Sequence, residues 1–412
     1  MGLFDNIKRT VRAIYSMPKS EYKKIIVGAN NDYGISVTES SAMKLTAFYA
    51  GVRIRSENIA SLPKMILRNE GGDVIPDNTH PLRKLLAIRP NDYTNAFDFW
   101  YVINSCLDGW GNAFAIIERS ASGAPVALHQ VHPANVNVGL AEGRKWFKIS
   151  GLSGDFARFN GTHANENVLH FMLMTFDGLE GVSPVEYNAG AIGKAIATQK
   201  FGADWFKRGG NVKAVLETDN SLGDESYAKF MEHYQASATN HSTPLLEYGI
   251  KYKPITISPV TAQLIQSETM SIQDIARILS LPPHMLAELS RATFSNIEHQ
   301  AKEFVEFHLR PTVKRIEVEL ENKLFFNDEL DRYSIKFNLQ GLLRGDTAAR
   351  SAFYHNAILD GYMSRNEVRK EEGLSRIDGL DDYLYPLNSG IVGKPQEENN
   401  TKTNNNAEQQ DE

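Results

Sequence analysis

The chain has 412 residues, of which 42% are hydrophobic and 23% charged. These proportions exclude a wholly disordered chain, a collagen and a membrane bundle, and the length predicts two or three domains. With 44 basic and 50 acidic residues, the formal net charge is −6. The chain as a whole therefore lacks the positive charge typical of proteins that grip nucleic acid, and any contact with DNA must be local or weak. The single cysteine, Cys106, excludes an internal disulfide.

The two ends of the sequence differ from its middle. Residues 1–30 form an N-terminal arm in which apolar residues between Leu3 and Ile14 share one helical stripe, with Lys8, Arg9 and Arg12 opposite. This pattern predicts an amphipathic basic helix, which either binds a membrane surface or a partner or docks on its own domain. Residues 391–412 are polar and predict a disordered tail. No stretch approaches the length of a membrane span.

Capping residues mark the starts of three helices. Ser183-Pro184-Val185-Glu186 predicts a helix that runs to about Arg208, where Gly209-Gly210 ends it. Ser295-Asn296-Ile297-Glu298 opens a helix of nearly thirty residues with Pro311 inside it, which predicts a kink. Ser364-Arg365-Asn366-Glu367 opens a short helix ended by Gly373. Further helices are predicted at about 40–60, 95–108, 223–238 and 262–281.

Strand patterns lie between the predicted helices. The best hairpin joins Ala113–Glu118 to Val126–Val131 through a Ser-Gly-Ala-Pro turn. Further strands are predicted at Trp146–Ile149, Val168–Met172, Val212–Glu217 and Tyr333–Leu339. The fold class is therefore α+β. Residues 213–259 read as strand, helix and strand between two helices, which predicts a separate projecting lobe.

Motifs for catalysis are missing or weak. The sequence contains no phosphate-binding G-x-x-x-x-G-K-[ST] loop, no G-x-S-x-G elbow and no His-Glu-x-x-His helix. His129 and His132 lie three apart on a predicted strand, face opposite sides and cannot jointly bind a metal without a turn. Asp177 and Glu180 stand among glycines and predict a turn, with a carboxylate pair for acid-base chemistry as the alternative. No cofactor, metal or small-molecule substrate is expected.

A series of short strings, each weak by itself, occurs in a specific order along the chain. The ordered set resembles the portal proteins of tailed double-stranded DNA bacteriophages, in the siphophage-type portal family, from about Leu3 to Pro386. Leu281 stands where the family motif often has Val, a conservative change. The strings are Tyr49-Ala50-Gly51-Val52-Arg53, Ile59-Ala60-Ser61-Leu62-Pro63, His80-Pro81-Leu82, Leu85-Leu86, Arg89-Pro90-Asn91, Gly111-Asn112-Ala113, Leu169-His170, Gly181-Val182-Ser183-Pro184, Ile275-Ala276-Arg277, Leu281-Pro282-Pro283, Phe294-Ser295-Asn296-Ile297-Glu298 and Asn366-Glu367-Val368-Arg369.

The resemblance implies a portal fold with wing, stem, clip and small crown regions. Matched onto this chain, the regions are an arm (1–30), wing (31–183), first stem helix (184–210), clip (211–260), second stem helix (261–283), tunnel loop (284–296), long kinked wing helix (297–332), wing and crown (333–390) and tail (391–412).

The resemblance also implies a function and partners. The expected assembly is a dodecameric ring at one capsid vertex, through which double-stranded DNA enters and leaves. Expected partners are the terminase large subunit, which is the ATPase, the major capsid or scaffold protein, and head-tail adaptor proteins. The expected location is the virion, after assembly in the cytoplasm of a bacterial host, and no enzymatic activity is expected.

Candidate contact residues follow from these expectations. Lys200 and Lys207 lie seven apart on one face of the first stem helix, and Arg291 lies in the tunnel loop. Each is interpreted as a DNA contact in the channel, or else as a solvated charge or an inter-subunit salt bridge. Tyr248 and Tyr252 in the clip are interpreted as subunit or partner contacts, or as internal packing.

Two alternative functions remain open from the sequence. A metal-dependent nuclease would use Asp177, Glu180 and a histidine, and magnesium-dependent DNA cleavage would reveal it. A peripheral membrane scaffold would use the basic N-terminal arm, and liposome flotation would reveal it.

Overall fold

The computed structural model describes residues 34–71, 73–207, 214–218, 223–239, 250–254, 260–287, 300–343 and 347–384. The chain divides into two compact units, Met1–Leu339 and Gln340–Glu412. The N-terminal arm, the tail, the capping box at 295–298 and most of the tunnel loop lie outside the described residues.

Helices and strands alternate through the first unit, and the second unit is helical where it is described. The helices are α1 (Glu39–Ala42), α2 (Thr46–Ser61), α3 (Ala96–Trp110), α4 (Pro184–Tyr187), α5 (Ala189–Lys207), α6 (Asp224–Thr239), α7 (Val260–Ile278), α8 (Arg310–Leu324), α9 (Gln340–Leu343), α10 (Thr347–Leu359) and α11 (Arg365–Glu371). The strands are β1 (Lys64–Glu70), β2 (Asp73–Pro76), β3 (Asn112–Arg119), β4 (Pro125–Val131), β5 (Val136–Ala141), β6 (Arg144–Ile149), β7 (Gly161–Ala164), β8 (Val168–Met172), β9 (Ala214–Glu217), β10 (Lys251–Pro254) and β11 (Tyr333–Phe337).

The strands form small antiparallel sheets. Three sheets have three strands each, in the orders β11-β1-β2, β4-β3-β8 and β5-β6-β7, and β9 pairs with β10. In the central sheet Ile116 on β3 lies opposite His129 on β4 and Val168 on β8. The mixture of helices with antiparallel sheets confirms the α+β fold class.

Trp100 on α3 lies at the centre of one part of the core. It is fully buried, its indole N–H donates to the Leu86 carbonyl at 2.9 Å, and its ring packs on Phe171 of β8 and Phe337 of β11. Because those two strands belong to different sheets, α3 joins the β4-β3-β8 sheet to the β11-β1-β2 sheet. A second cluster, with Phe114, Phe147 and Val168 among its members, forms another part of the hydrophobic core.

The helix starts predicted at Ser183 and Ser364 agree with the structure, and two helices are irregular in their interiors. The Ser183 side chain accepts from the Glu186 N–H, yet the helix breaks at Asn188, whose side chain donates to the Pro184 carbonyl at 2.8 Å and competes with the backbone. The long helix has a π-helical turn, Phe304–Leu309, directly before α8. Pro311 has no N–H and cannot donate the hydrogen bond to the preceding turn of the helix. The π-helical turn lies where this backbone hydrogen bond is missing. The helix ends at Leu324, where the predicted apolar stripe also ends.

The segment predicted as strand, helix and strand has that order in its described parts. Strand β9 pairs with β10, with Tyr252 opposite Leu216, and α6 lies between them in the chain.

In the second unit, Ser364 caps α11 through a reciprocal capping box with Glu367. Asn366 donates to the Ile377 carbonyl and accepts from its N–H, so this predicted helix is tied to the chain that follows it.

Candidate functional site

A buried ion pair lies where α2, α3, α7 and α8 meet. The Arg55 Nε of α2 donates to both carboxylate oxygens of Asp108 on α3 at 3.0 Å. The remaining guanidinium nitrogens donate to the Leu279 carbonyl at 3.0 Å and to the Thr312 hydroxyl at 3.5 Å. Both side chains of the pair are at most 5% exposed. One guanidinium therefore connects α2, α3, the end of α7 and α8.

Burial and the neighbouring side chains have opposite effects on the pKa of the Asp108 carboxyl. Burial raises the pKa of the Asp108 carboxyl, and the Arg55 guanidinium and the Asn104 amide oppose that rise. Asn104 donates to Asp108 at 2.9 Å and also reaches the Ser56 hydroxyl. A buried pair with these additional hydrogen bonds holds the helices in one arrangement, because moving one helix would strand a charge without its partner.

A second contact fixes the segment directly before α4. The Asn112 side-chain amide donates to the Gly181 carbonyl and its oxygen accepts from the Gly181 N–H, both at 2.7 Å. Gly111 has φ of 70°, and a Cβ there would lie 2.0 Å from the Val182 carbonyl oxygen. Two strings that are seventy residues apart in the sequence thus meet backbone to backbone, directly before Ser183 caps α4.

The end of α7 packs against a glycine of α2. A Cβ on Gly51 would lie 2.4 Å from the Leu279 Cδ1 and 3.0 Å from the Leu281 Cδ1. Ile275 and Ala276, near the same end of α7, are also buried. We call the contacts of Arg55, Asp108, Asn112 and Gly51 the stem junction, because together they fix the start of α4 and α5 and the end of α7.

Three of the predicted channel and partner residues, Lys200, Lys207 and Tyr252, lie within the described part of the chain. Lys200 and Lys207, seven residues apart on α5, are both exposed. Tyr252 lies on β10, where its backbone position is described. Arg291 and Tyr248 lie outside the described residues. Of the described three, Lys200 and Lys207 lie on one helix and Tyr252 lies on a strand.

The carboxylates considered for catalysis shape a turn. One oxygen of Asp177 accepts from the N–H groups of Leu179 and Glu180 and from the Thr175 hydroxyl. Glu180 contributes its carbonyl, which accepts from the same hydroxyl. The turn predicted from the flanking glycines is thus confirmed.

The histidines have separate structural partners. His129 lies 2.7 Å from a Glu118 carboxylate oxygen and stacks on Tyr93, whereas the His132 ring packs edge-on against Trp110. Burial lowers the pKa of His132. Within the described ranges, no group of three or more His, Cys, Asp or Glu side chains could hold a metal ion. Among these same ranges, no helix is long and apolar enough to cross a membrane.

Sequence reasoning missed the buried ion pair, although both helices carry a signal for it. Arg55 lies between Val52 and Ile59 on the apolar stripe of α2, and Asp108 follows Leu107 on α3. A charged residue on a buried stripe predicts a partner of opposite charge, because charges are rarely buried alone. The sequence does not show which of many charges that partner is.

Within the described residues, the segment that leads into α5 and the end of α7 both lie at the stem junction, and β9, α6 and β10 come between these two helices in the chain. The sequence matches the phage portal protein family over residues 46–373. It is 30% identical over 393 residues to a probable portal protein of Streptomyces phage phiC31, covering 90% of this chain and 84% of that protein. It is 26% identical over 354 residues to the portal protein of Enterobacteria phage HK97, covering 84% and 82%.

Solved structures give the same fold. An HK97-family phage portal protein from Corynebacterium diphtheriae has a TM-score of 0.58 at 16% identity, covering 75% of this chain and 98% of that one. A chain from the neck of a native gene transfer agent particle, computed with C12 symmetry, has a TM-score of 0.55 at 18% identity, covering 86% and 99%. The chain belongs to the phage portal protein family, and the portal fold expected from the sequence is confirmed. Neither the nuclease nor the membrane-scaffold alternative gains support.

Proposed function

We propose that copies of this chain form a dodecameric ring at one capsid vertex, through which double-stranded DNA passes during packaging and ejection. The observation that supports this most is coverage: the fold extends over 98% and 99% of the two neighbouring chains, one of them from a neck with C12 symmetry. The ring would be a virion component, assembled in the cytoplasm of a bacterial host.

The stem junction gives the ring subunit its rigidity in this proposal. DNA that slides past a subunit pushes on the two stem helices, and the bonds of Arg55, Asp108 and Asn112 transmit that load to the wing sheets. Because these groups are buried and paired, they resist displacement better than exposed ion pairs, which contribute little.

The exposed lysines of α5 are the proposed DNA contacts among the described residues. Each lysine that neutralises a phosphate releases counterions and strengthens binding, so a few contacts guide DNA whereas many would hold it. Lys200 and Lys207, with Arg291 from the tunnel loop, supply a few such charges on a chain with a net charge of −6.

The remaining partners would act around the ring. The terminase large subunit would supply the ATP hydrolysis that drives packaging, since this chain has no phosphate-binding loop, and the major capsid or scaffold protein would hold the ring in its vertex. Head-tail adaptor proteins would dock on the clip, where Tyr248 and Tyr252 are the proposed contacts. The chain would act without cofactor, metal or enzymatic step.

The ring is tested on the purified full-length chain. Native mass spectrometry across a concentration series should give one closed oligomer, and negative-stain images should show a central hole. A chain that stays monomeric at high concentration and inside assembled particles would refute the proposal.

The DNA contacts are tested by reversing two charges. The double variant Lys200→Glu/Lys207→Glu should assemble normally and yield particles with less packaged DNA. The matched control, Lys148→Glu/Lys370→Glu, makes the same change in charge at exposed lysines elsewhere and should leave packaging unchanged. Equal DNA content in both sets of particles would exclude Lys200 and Lys207 as channel contacts.

A further inference from the structure

An exposed surface with three aromatic side chains lies on the outer face of α2 and α3. Tyr49 on α2 is 52% exposed and Phe97 on α3 is 44% exposed. Tyr101, four residues after Phe97 on α3, is half-buried and lies close enough to Tyr49 and Glu57 to interact with them electrostatically. We call this surface the tyrosine flank. Aromatic residues are enriched at protein interfaces, and a monomer rarely exposes several together.

A groove opens beside the tyrosine flank. It has a volume of about 470 Å³ and runs between α2, α5, α7 and the short helical turn after Pro282-Pro283. Most of its lining is apolar, with Ala50, Ile54, Ile272 and Leu286 among the side chains, and Arg53 stands at the edge that the groove shares with the tyrosine flank. The groove is therefore shaped to receive an apolar side chain from outside.

A second exposed apolar surface surrounds Phe307, whose ring is 66% exposed and more exposed than any other large hydrophobic side chain of the described residues. Phe307 and Pro311 line a small cleft of about 190 Å³, opposite Leu173 and Pro184. Three more exposed side chains follow Leu173 and Pro184 in the chain. They are Met174, Phe176 and Tyr187, each about half exposed. We call this surface the Phe307 flank.

The two flanks lie on opposite sides of α2. Arg53 borders the groove beside the tyrosine flank, whereas Arg55 lines the cleft of the Phe307 flank. Two residues along a helix are separated by about 200° around its axis. The helix therefore stands between the flanks, and one flank cannot cover the other within the same molecule.

We propose that the Phe307 flank of one copy of this chain packs on the tyrosine flank of the next copy, with Phe307 entering the groove between α2, α5 and α7. The inference rests on the proposed ring. A closed ring needs two different surfaces on each subunit, because its interfaces join head to tail, whereas a two-fold dimer needs only one. Two unlike apolar surfaces on opposite sides of one helix meet that requirement, and a knob on one side matches a groove on the other.

Substitution of the knob tests the contact. Phe307→Ser should raise the protein concentration needed for half-assembly by roughly tenfold or more, since each interface loses the burial of one aromatic ring. Phe353→Ser is the matched control, because Phe353 is also exposed, at 52%, and lies in the second unit. It should assemble like the unsubstituted chain, and thermal unfolding of the dilute variants checks that both remain folded.

Crosslinking tests which surfaces meet. With a short bismaleimide, the double variant Phe307→Cys/Tyr49→Cys should give a ladder of covalent oligomers, and the two single variants mixed should give dimers only. Each single variant alone should give no covalent oligomer. Cys106 does not interfere, because burial raises the pKa of its thiol to about 12.

The outcomes separate the two proposals. A chain that forms no oligomer refutes the proposed ring, and the inference with it. A ring that forms with Phe307→Ser as readily as with Phe353→Ser, or that gives no ladder with the double variant, refutes the interface alone. Self-crosslinking of a single variant would show a two-fold contact and would also overturn the inference.

Discussion

Replacement of Asp108 tests whether the buried ion pair holds the stem junction together. Asp108→Ala removes both hydrogen bonds from the Arg55 Nε and the one from Asn104. The guanidinium keeps the Leu279 carbonyl and the Thr312 hydroxyl as partners, and neither of these carries a negative charge. Because Arg55 is only 4% exposed, water cannot replace the lost carboxylate without opening the helices.

The expected loss follows from that geometry. Removing one partner of a buried ion pair lowers the free energy of unfolding by about 3–5 kcal/mol. The double variant Arg55→Met/Asp108→Leu removes both charges together and should lose much less than Asp108→Ala. This difference would assign the loss to the stranded charge and not to the cavity.

Urea denaturation of the dilute chain measures both effects, and hydrogen exchange at Leu279 to Leu281 measures the local one. Asp108→Ala should lower the urea midpoint and speed exchange at the end of α7. Asp328→Ala is the matched control, since Asp328 pairs with Arg332 at the same 3.0 Å but is 76% exposed, and it should lose at most about 1 kcal/mol. Equal losses in Asp108→Ala and Asp328→Ala would refute the reasoning.

Three further predictions concern other buried groups. Asn112→Ala should lower the free energy of unfolding by about 1–3 kcal/mol in urea denaturation, because the N–H and the carbonyl of Gly181 both lose their partner. An unchanged free energy of unfolding would show that this contact does not stabilise the stem junction. Burial lowers the pKa of Lys64 to about 7 from 10.5, so the unfolded chain binds the extra proton and stability should rise with pH across that interval, by at most about 1.4 kcal/mol for each pH unit. Lys64→Met should flatten this rise and Lys148→Met, at an exposed lysine, should not; an unchanged pH profile in Lys64→Met would assign the rise to other groups. Cys106 should react with maleimide only after unfolding, as mass spectrometry would detect, and labelling of the folded chain would contradict its burial.

Local signals in the sequence predicted most helices well. Ser183 and Ser364 cap helices, as predicted from the glutamate three residues after each serine. Such caps can be predicted because they depend on residues within one turn. The strands β1, β2, β5 and β7 were missed. β1 pairs with β11, some 270 residues away, and no local pattern identifies a partner at that distance.

The candidate site was predictable only in part. The short strings Gly111-Asn112-Ala113 and Gly181-Val182-Ser183-Pro184 were recognised, but the sequence does not show that Asn112 and Gly181 touch. The pairing of Arg55 with Asp108 was not predicted. A single charge on an apolar stripe shows that the charge will be buried, but its partner is determined by tertiary contacts that the sequence does not reveal. The exposed aromatic flanks were missed for a similar reason, since a helical stripe such as Phe97 and Tyr101 does not reveal which face lacks a cover.

The kinds of residue in these strings argue for what the site does. An enzyme motif gathers groups that exchange protons, bind metals or attack substrate, and those groups need access to a reactant. Here Gly51, Gly111 and Gly181 admit close backbone approach, and Asn112 bonds to backbone on both sides. In these contacts the glycines and Asn112 fix distances between neighbouring segments of the backbone. These buried contacts therefore hold the segment before α4 on β3 and the end of α7 on α2.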